Sequence, residues 1–276
     1  MKVLLAPNPR RDRDLCCARR AEQLLRDMGA ETSLHPLFDG ASPKACLLPG
    51  QADLLLTFGG DGTFLYAAKV AASASIPVLG VNLGRLGALA GVSGERLEDL
   101  RQLAAGQYRI ERRMMLRAEV FRGERRLCTA TALNDVVLSR KELMHVVDCL
   151  VWFDDKAAMH VVGDGVIVAT PTGSTGYALS AGGPVMEYDL EAISVTPICP
   201  HRLDGRSYIL APERTVRLTM PQRRRETALL CADGQRLAAL KAGDRVEIRR
   251  CSCCAQVVRL ENSDFYLEVQ SKLSKG

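Results

Sequence analysis

The stretch Asp53-Leu54-Leu55-Leu56-Thr57-Phe58-Gly59-Gly60-Asp61-Gly62-Thr63 decides the fold. Its first six residues form a continuous run dominated by apolar side chains, as in a strand covered on both faces. Glycines interrupt the run, and helical spacing follows over residues 63–73. The same alternation continues on either side. Residues 2–6 read as a short buried strand, stopped by Pro7-Asn8-Pro9. Leu15, Ala18, Ala21, Leu24, Leu25 and Met28 then recur at helical spacing until Gly29 ends the pattern. Residues 31–35 and 76–81 read as further strands, and 97–103 as a helix. Strand, helix and strand repeated in this way predict an open parallel α/β sheet over residues 1–113.

Beyond residue 113 the texture changes to short runs separated by turns. Strands are expected over 117–121, 130–138, 146–153, 157–162, 166–169, 193–197, 215–220, 229–232, 245–250 and 257–260. So many short strands predict an all-β second domain over 114–260, with 261–276 as a tail able to return to the first domain. The one helix expected there covers 175–181 and ends at Gly182-Gly183.

A chain of 276 residues is comfortable for two domains, since single cores stop growing near ~250 residues. With 47% hydrophobic and 25% charged residues it is neither disordered nor fibrous. No run approaches the ~20 apolar residues that span a bilayer, and the apolar start of MKVLLAPNPRR is too short for a secretory signal. A cytoplasmic protein without a membrane partner is therefore expected. The net charge of +5 is mild, and Arg223-Arg224-Arg225 reads as a solvated loop. Aromatic residues make up only 5%, too few to interleave with basic side chains on a single-stranded nucleic acid, so no nucleic-acid partner is expected. Of the ten cysteines, only Cys251, Cys253 and Cys254 cluster. Their single C-x-x-C step lacks the second pair a zinc site needs, and no fixed metal site is expected.

Three segments carry chemistry. In Gly59-Gly60-Asp61-Gly62-Thr63 the glycines let a ligand approach the backbone, and the N–H groups at the helix start favour a phosphate. Asp61 can orient or deprotonate an attacking hydroxyl, as phosphoryl transfer requires. The same residues serve equally as a plain strand-to-helix turn. Neither a Walker loop nor a G-x-G-x-x-G fingerprint is present. The second segment runs from Gly163-Asp164-Gly165 through Thr170-Pro171-Thr172-Gly173-Ser174-Thr175-Gly176-Tyr177-Ala178-Leu179-Ser180 to Gly183-Pro184. Its hydroxyls and glycines make a surface for sugars, amides or phosphates, beyond what capping by Ser174 would need. In the third, Asn134 and Asp135 place an amide beside a carboxylate, a pair able to hold vicinal ribose hydroxyls and equally common at turns.

Together these segments resemble the NAD kinase family. The resemblance rests on FGGDGTFL at 58–65, VNLGRLGAL at 81–89, ALNDVV at 132–137, GDGVIVATPTGSTGYALSAGGP at 163–184, TPICPH at 196–201 and ADGQ at 232–235. It implies a phosphofructokinase-like first domain and transfer of phosphate from ATP, or polyphosphate, to the adenosine 2′-hydroxyl of NAD. Asp61 would be the base, with Gly59, Gly60 and Thr63 at the phosphates and Gly62 beside the ligand. Asn134 and Asp135 would hold a ribose, and Thr172, Thr175, Gly176, Tyr177, Ala178, Leu179 and Ser180 would line the adenosine and nicotinamide sites. Gln235 and His145 would add contacts, although a lone histidine reads as readily as a surface or core residue. Asp164 would reach the ligand of a neighbouring subunit in a homodimer or homotetramer, and a divalent metal, usually magnesium, would accompany ATP. Two positions depart from the family: Asp135 stands where Glu is usual, and Ala88 where Phe is frequent. A lipid kinase sharing G-G-D-G, and a protein that only senses NAD(H), are the competing readings.

Overall fold

The computed structural model describes residues 1–37, 51–84, 89–142, 145–201, 205–221, 228–260 and 264–273. Arg223-Arg224-Arg225, Ala88 and Cys46 lie outside them. The chain forms two compact units, Met1–Arg113 with Cys253–Gly276, and Met114–Ser252.

The first unit contains β1 (Lys2–Pro7), α1 (Cys16–Asp27), β2 (Glu31–Leu34), β3 (Leu54–Gly59), α2 (Asp61–Ala74), β4 (Val78–Asn82), β5 (Val92–Ser93) and α3 (Arg101–Ala104). The strands run β4-β3-β1-β2, all parallel. Every residue of β3 is buried, as its unbroken run predicts. Leu5, Leu54, Leu56 and Leu79 meet Ala18, Ala21 and Leu25 of α1 in one core. The start of α1 is held by Asp12, whose carboxylate accepts the N–H groups of Cys17 and Ala18 at 3.0 and 2.9 Å. That satisfies donors which a helix leaves without partners at its first turn. Gly29 follows α1 with a φ of 81°, a conformation open to glycine. The helix expected over 97–103 is a 3₁₀ turn, Leu97–Leu100, running into α3.

Along the rest of the chain come β6 (Tyr108–Arg122), β7 (Arg125–Ala132), β8 (Asp135–Arg140), β9 (Val147–Phe153), β10 (Lys156–Gly163), β11 (Gly165–Ala169), α4 (Tyr177–Ser180), β12 (Ile193–Ile198), β13 (Tyr208–Leu210), β14 (Val216–Thr219), β15 (Ala228–Ala232), β16 (Gln235–Leu240), β17 (Asp244–Leu260) and α5 (Phe265–Leu273). In the second unit one antiparallel sheet runs β10-β9-β14-β17, with the β6–β7 hairpin beside β17. The other runs β13-β12-β11-β8-β15-β16, also antiparallel. Alternation sends Val136 and Leu138 of β8 and Val166 and Val168 of β11 to the inner face, where they meet Val147, Cys149 and Val151 of β9. Val137, Ile167 and Ala169 face the other way, onto Ala178 of α4. That outer face carries the loop dense in hydroxyls.

Several elements differ from the sequence reading. The strand expected over 130–138 is two, β7 and β8, broken at Leu133-Asn134. Those expected over 245–250 and 257–260 are one, β17. Residues 253–260, read as part of the second domain, belong to the first unit: Val257 pairs with Val78, and Val258 and Leu260 enter the first core. α5 lies within the stretch read as a tail.

Candidate functional site

In the first unit the candidate residues gather at the carboxyl ends of adjacent parallel strands. Pro7 of β1 pairs with Phe58 of β3, and Gly59 with Asn82 of β4, so Asn8, Gly60 and Leu83 leave the sheet side by side. Ligands of open α/β sheets bind along this edge. Gly59 has no room for a side chain, since a Cβ there would lie 2.4 Å from Thr63 Oγ1. The first turn of α2 can therefore fold back on the end of β3. Gly60 is extended, and Asp61 opens the helix, half-buried, where aligned peptide dipoles favour a negative charge. Gly62 is exposed and has no heavy atom within 4 Å of where a Cβ would stand. Thr63 is turned inward, its hydroxyl oxygen accepting a hydrogen bond from Asn8 Nδ2 at 2.9 Å. The backbone N–H of Asn8 donates to Phe58 O at 3.0 Å, so Asn8 ties the end of β1 to both sides of the turn. Sequence reasoning used Asn8 only as a strand stop. Asn82 is buried and its Oδ1 accepts the Gly84 N–H at 3.0 Å, while the Leu83 N–H donates to Gly59 O at 3.1 Å.

In the second unit three separate motifs converge. The loop after β11 lies against the break between β7 and β8. Thr170 donates its N–H to Asn134 O at 2.9 Å and its hydroxyl to Leu133 O at 2.5 Å, and accepts the Gly173 N–H at 3.1 Å. Contact is so close that a Cβ on Gly173 would sit 2.0 Å from Asn134 O. From the other side comes the Asp233-Gly234 turn joining β15 to β16, with φ of 47° and 72°. Asp233 accepts the N–H groups of Leu133, Asn134 and Asp135 at 3.0, 2.8 and 3.2 Å. These N–H groups point to a carboxylate instead of a neighbouring strand, which is why a run that reads as continuous breaks there.

Asn134 Oδ1 is buried and has no partner among the described residues. Buried polar atoms are nearly always hydrogen-bonded, so this acceptor is suited to a donor brought by a ligand. Asp135 is 6% exposed and stands opposite Ala169, on the face covered by α4. Burial pushes its carboxyl up to about 7, and the charge of Asp233 adds to the rise.

The remaining predicted residues take three kinds of position. Thr172 and Thr175 are buried, Thr175 donating its hydroxyl to Thr172 O at 3.3 Å. Gly176 separates the 3₁₀ turn Gly173–Thr175 from α4, dividing the single helix that was expected. On α4, Ala178 is buried and Leu179 half-buried, whereas Tyr177 and Ser180 are exposed, Tyr177 at 48%. Gln235 is exposed just beyond the Asp233-Gly234 turn. Asp164 is half-buried and paired with Arg140 at 3.1 Å. His145 is a surface residue, 3.4 Å from Glu142.

Residues 18–109 match the family model of the ATP-NAD kinase N-terminal domain, and residues 133–260 that of the C-terminal domain. A protein of Caldanaerobacter subterraneus subsp. tengcongensis described as an NAD kinase is 34% identical over 281 residues, covering 99% of each chain. Another from Moorella thermoacetica is 42% identical over 226 residues, covering 82% of this chain and 72% of its own. Among solved structures, yeast NADH kinase complexed with NADH has a TM-score of 0.85 at 22% identity, covering 99% of this chain and 87% of its own. An NAD kinase from Archaeoglobus fulgidus in complex with ATP has a TM-score of 0.73 at 24% identity, covering 98% and 99%. At those identities the structures bear on the fold alone.

Proposed function

The chain belongs to the NAD kinase family, and from that premise we propose that it transfers the terminal phosphate of ATP to the 2′-hydroxyl of the adenosine ribose of NAD, with Asp61 as the base. The observation that carries this reading is the position of Asp61. It is the carboxylate that heads α2 at the carboxyl edge of the parallel sheet, flanked by glycines that leave room for a ligand. In the proposed step the ribose O–H bond breaks and its proton passes to the Asp61 carboxylate. The freed oxygen bonds to the terminal phosphorus while the bond to ADP breaks. Phosphoryl transfer is chiefly positioning and charge stabilisation, so one oriented base suffices. Asn134 and Asp135 hold ribose hydroxyls, supported by the unmatched acceptor on Asn134.

A magnesium ion would come with ATP, held chiefly by the substrate phosphates and water, which leaves the Asp61 carboxylate to take the proton. The ion would neutralise charge on the transferring phosphate. The same reading expects a homodimer or homotetramer in which Asp164 reaches a neighbouring ligand, and a cytoplasmic location. Among the described residues no helix is long and apolar enough to cross a membrane.

The test is NADP formation from NAD with ATP or polyphosphate, set beside diacylglycerol and sphingosine as acceptors. Turnover of NAD is expected. Phosphorylation of lipid without NADP would overturn the reading. Asp61→Asn should reduce turnover at least ~10²-fold, the low end of a general base's contribution, with NAD binding retained. Undiminished NADP production by this variant would remove Asp61 from the mechanism.

A further inference from the structure

The break at Leu133-Asn134 exposes three consecutive N–H groups to one side chain, which the sequence reading left without a role. We infer that Asp233 is a positioning residue for the ribose subsite: by taking the N–H groups of Leu133, Asn134 and Asp135, its carboxylate fixes the backbone from which Asn134 and Asp135 reach the NAD ribose. The inference rests on the proposed function, because it concerns the ligand contacts assigned there.

Three features single out Asp233. Its left-handed φ of 47° aims the side chain back from the turn across β8. Its own N–H donates to Asp135 O at 3.0 Å, so the turn and the break are joined in both directions. Both carboxylate oxygens are used, Oδ2 for Leu133 and Oδ1 for Asn134 and Asp135. An asparagine could offer only one acceptor and would set its NH₂ against a backbone N–H. Beside the break, the buried Asn134 Oδ1 remains available to a ligand. Asp233 therefore secures the backbone while leaving the neighbouring side chains for recognition.

The same carboxylate also faces Asp135 as a charge. The titratable and charged groups around Asp135 among the described residues are Asp233 across the turn and Cys231 on β15, with Arg236 of β16 beside Cys231. From β11 the facing residue is Ala169, and the loop beyond it contributes uncharged hydroxyls. Removing the Asp233 charge should let Asp135 ionise at lower pH. An ionised Asp135 accepts hydrogen bonds from both hydroxyls of a vicinal diol, whereas the protonated form gives up one acceptor.

The experiment measures the KM for NAD, kcat and equilibrium NAD binding from pH 5.5 to 8.5 for the full chain, Asp233→Asn and Asp233→Glu. Wild-type KM should fall as pH rises through about 7. Asp233→Asn should raise KM roughly tenfold, the loss expected for about one strong hydrogen bond, change kcat less than ~3-fold and move the pH midpoint downward. Asp233→Glu keeps the charge on a longer stem, so KM should rise while the midpoint stays. An Asp233→Asn enzyme with unchanged KM and midpoint overturns the inference. So does one that loses kcat and affinity alike at every pH with the midpoint unmoved, as general misfolding would cause. If Asp233→Asn does not fold, Asp233→Glu decides alone: unchanged KM and unchanged NAD binding overturn the inference. Failure of the wild-type chain to form NADP would instead refute the proposed function.

Discussion

Asp135→Asn replaces a buried carboxyl with a neutral group of nearly the same shape. The folded carboxyl titrates at about 7 against an ordinary 3.8, because burial, reinforced by Asp233, disfavours its charge. A folded-state value raised in this way contributes stability that is fully present below 3.8 and is lost as pH rises through about 7. At pH 5 the unfolded chain has already released the proton that the folded chain keeps, a penalty of ~2 kcal/mol. By pH 8 the penalty reaches ~4 kcal/mol. The amide in the variant has no such dependence. Urea denaturation at pH 5 and pH 8 should therefore show the stability difference between variant and wild type shifting by roughly 2–3 kcal/mol in the variant's favour as pH rises. The same substitution should weaken NAD binding, since the amide gives up one of two acceptors. Stability curves that stay parallel between pH 5 and pH 8 would refute the reasoning, whatever happens to activity.

Gly173→Ala would drive a methyl to 2.0 Å from Asn134 O and force the loop off the break. Loss of the three Thr170 and Gly173 hydrogen bonds there, at ~1 kcal/mol each, together with overpacking of ~1–3 kcal/mol, should cost ~4–6 kcal/mol. Calorimetry should record a fall in Tm of roughly 10 °C or more, and a shift under 2 °C would contradict the geometry. Asn8→Ala removes the donor to Thr63 Oγ1 and the acceptor for the Arg10 N–H, so a loss of ~1–2 kcal/mol by denaturant titration is expected. If Asn8 steadies the turn, NADP formation should fall more in this variant than in one matched to it in stability; equal rates would confine Asn8 to folding.

The sequence made the layout of the first unit legible because β1, β3 and β4 are buried almost throughout and therefore read as unbroken apolar runs. β3 is the clearest instance. The second unit was harder. Leu133 and Asn134 lie inside a stretch that reads as one strand, and a carboxylate a hundred residues away draws their N–H groups from the ladder. Along β17 the small, weakly apolar residues 251–256 hid a strand that continues through them. One signal was present and unused: Asp233-Gly234, both with positive φ, is the favoured pair for a two-residue hairpin and would have predicted β16. The tying roles of Asn8 and Asp233 show only in the folded chain, since their partners lie 55 and about a hundred residues away.

The loop from Thr170 to Ser180 reads as a surface of hydroxyls for a sugar, yet three of its six hydroxyls are committed within the fold. Ser174 Oγ lies 2.7 Å from Pro171 O and accepts the Met186 N–H at 3.0 Å, Thr170 holds Leu133, and Thr175 holds Thr172. Each is buried, so an unmet hydroxyl would cost ~1–3 kcal/mol, and the fold has supplied partners from the backbone. In the first unit the Thr63 hydroxyl oxygen is met by a side chain instead, the amide of Asn8. The density of hydroxyls thus measures how much backbone must be tied down where glycines let two loops touch. Under the proposed function, recognition falls to the groups that the scaffold does not use up: the Asn134 acceptor, the reluctant charge of Asp135, and the exposed Tyr177 and Ser180. A ligand able to donate from adjacent hydroxyls beside a stacking face meets those requirements, as the ribose and ring system of a dinucleotide do.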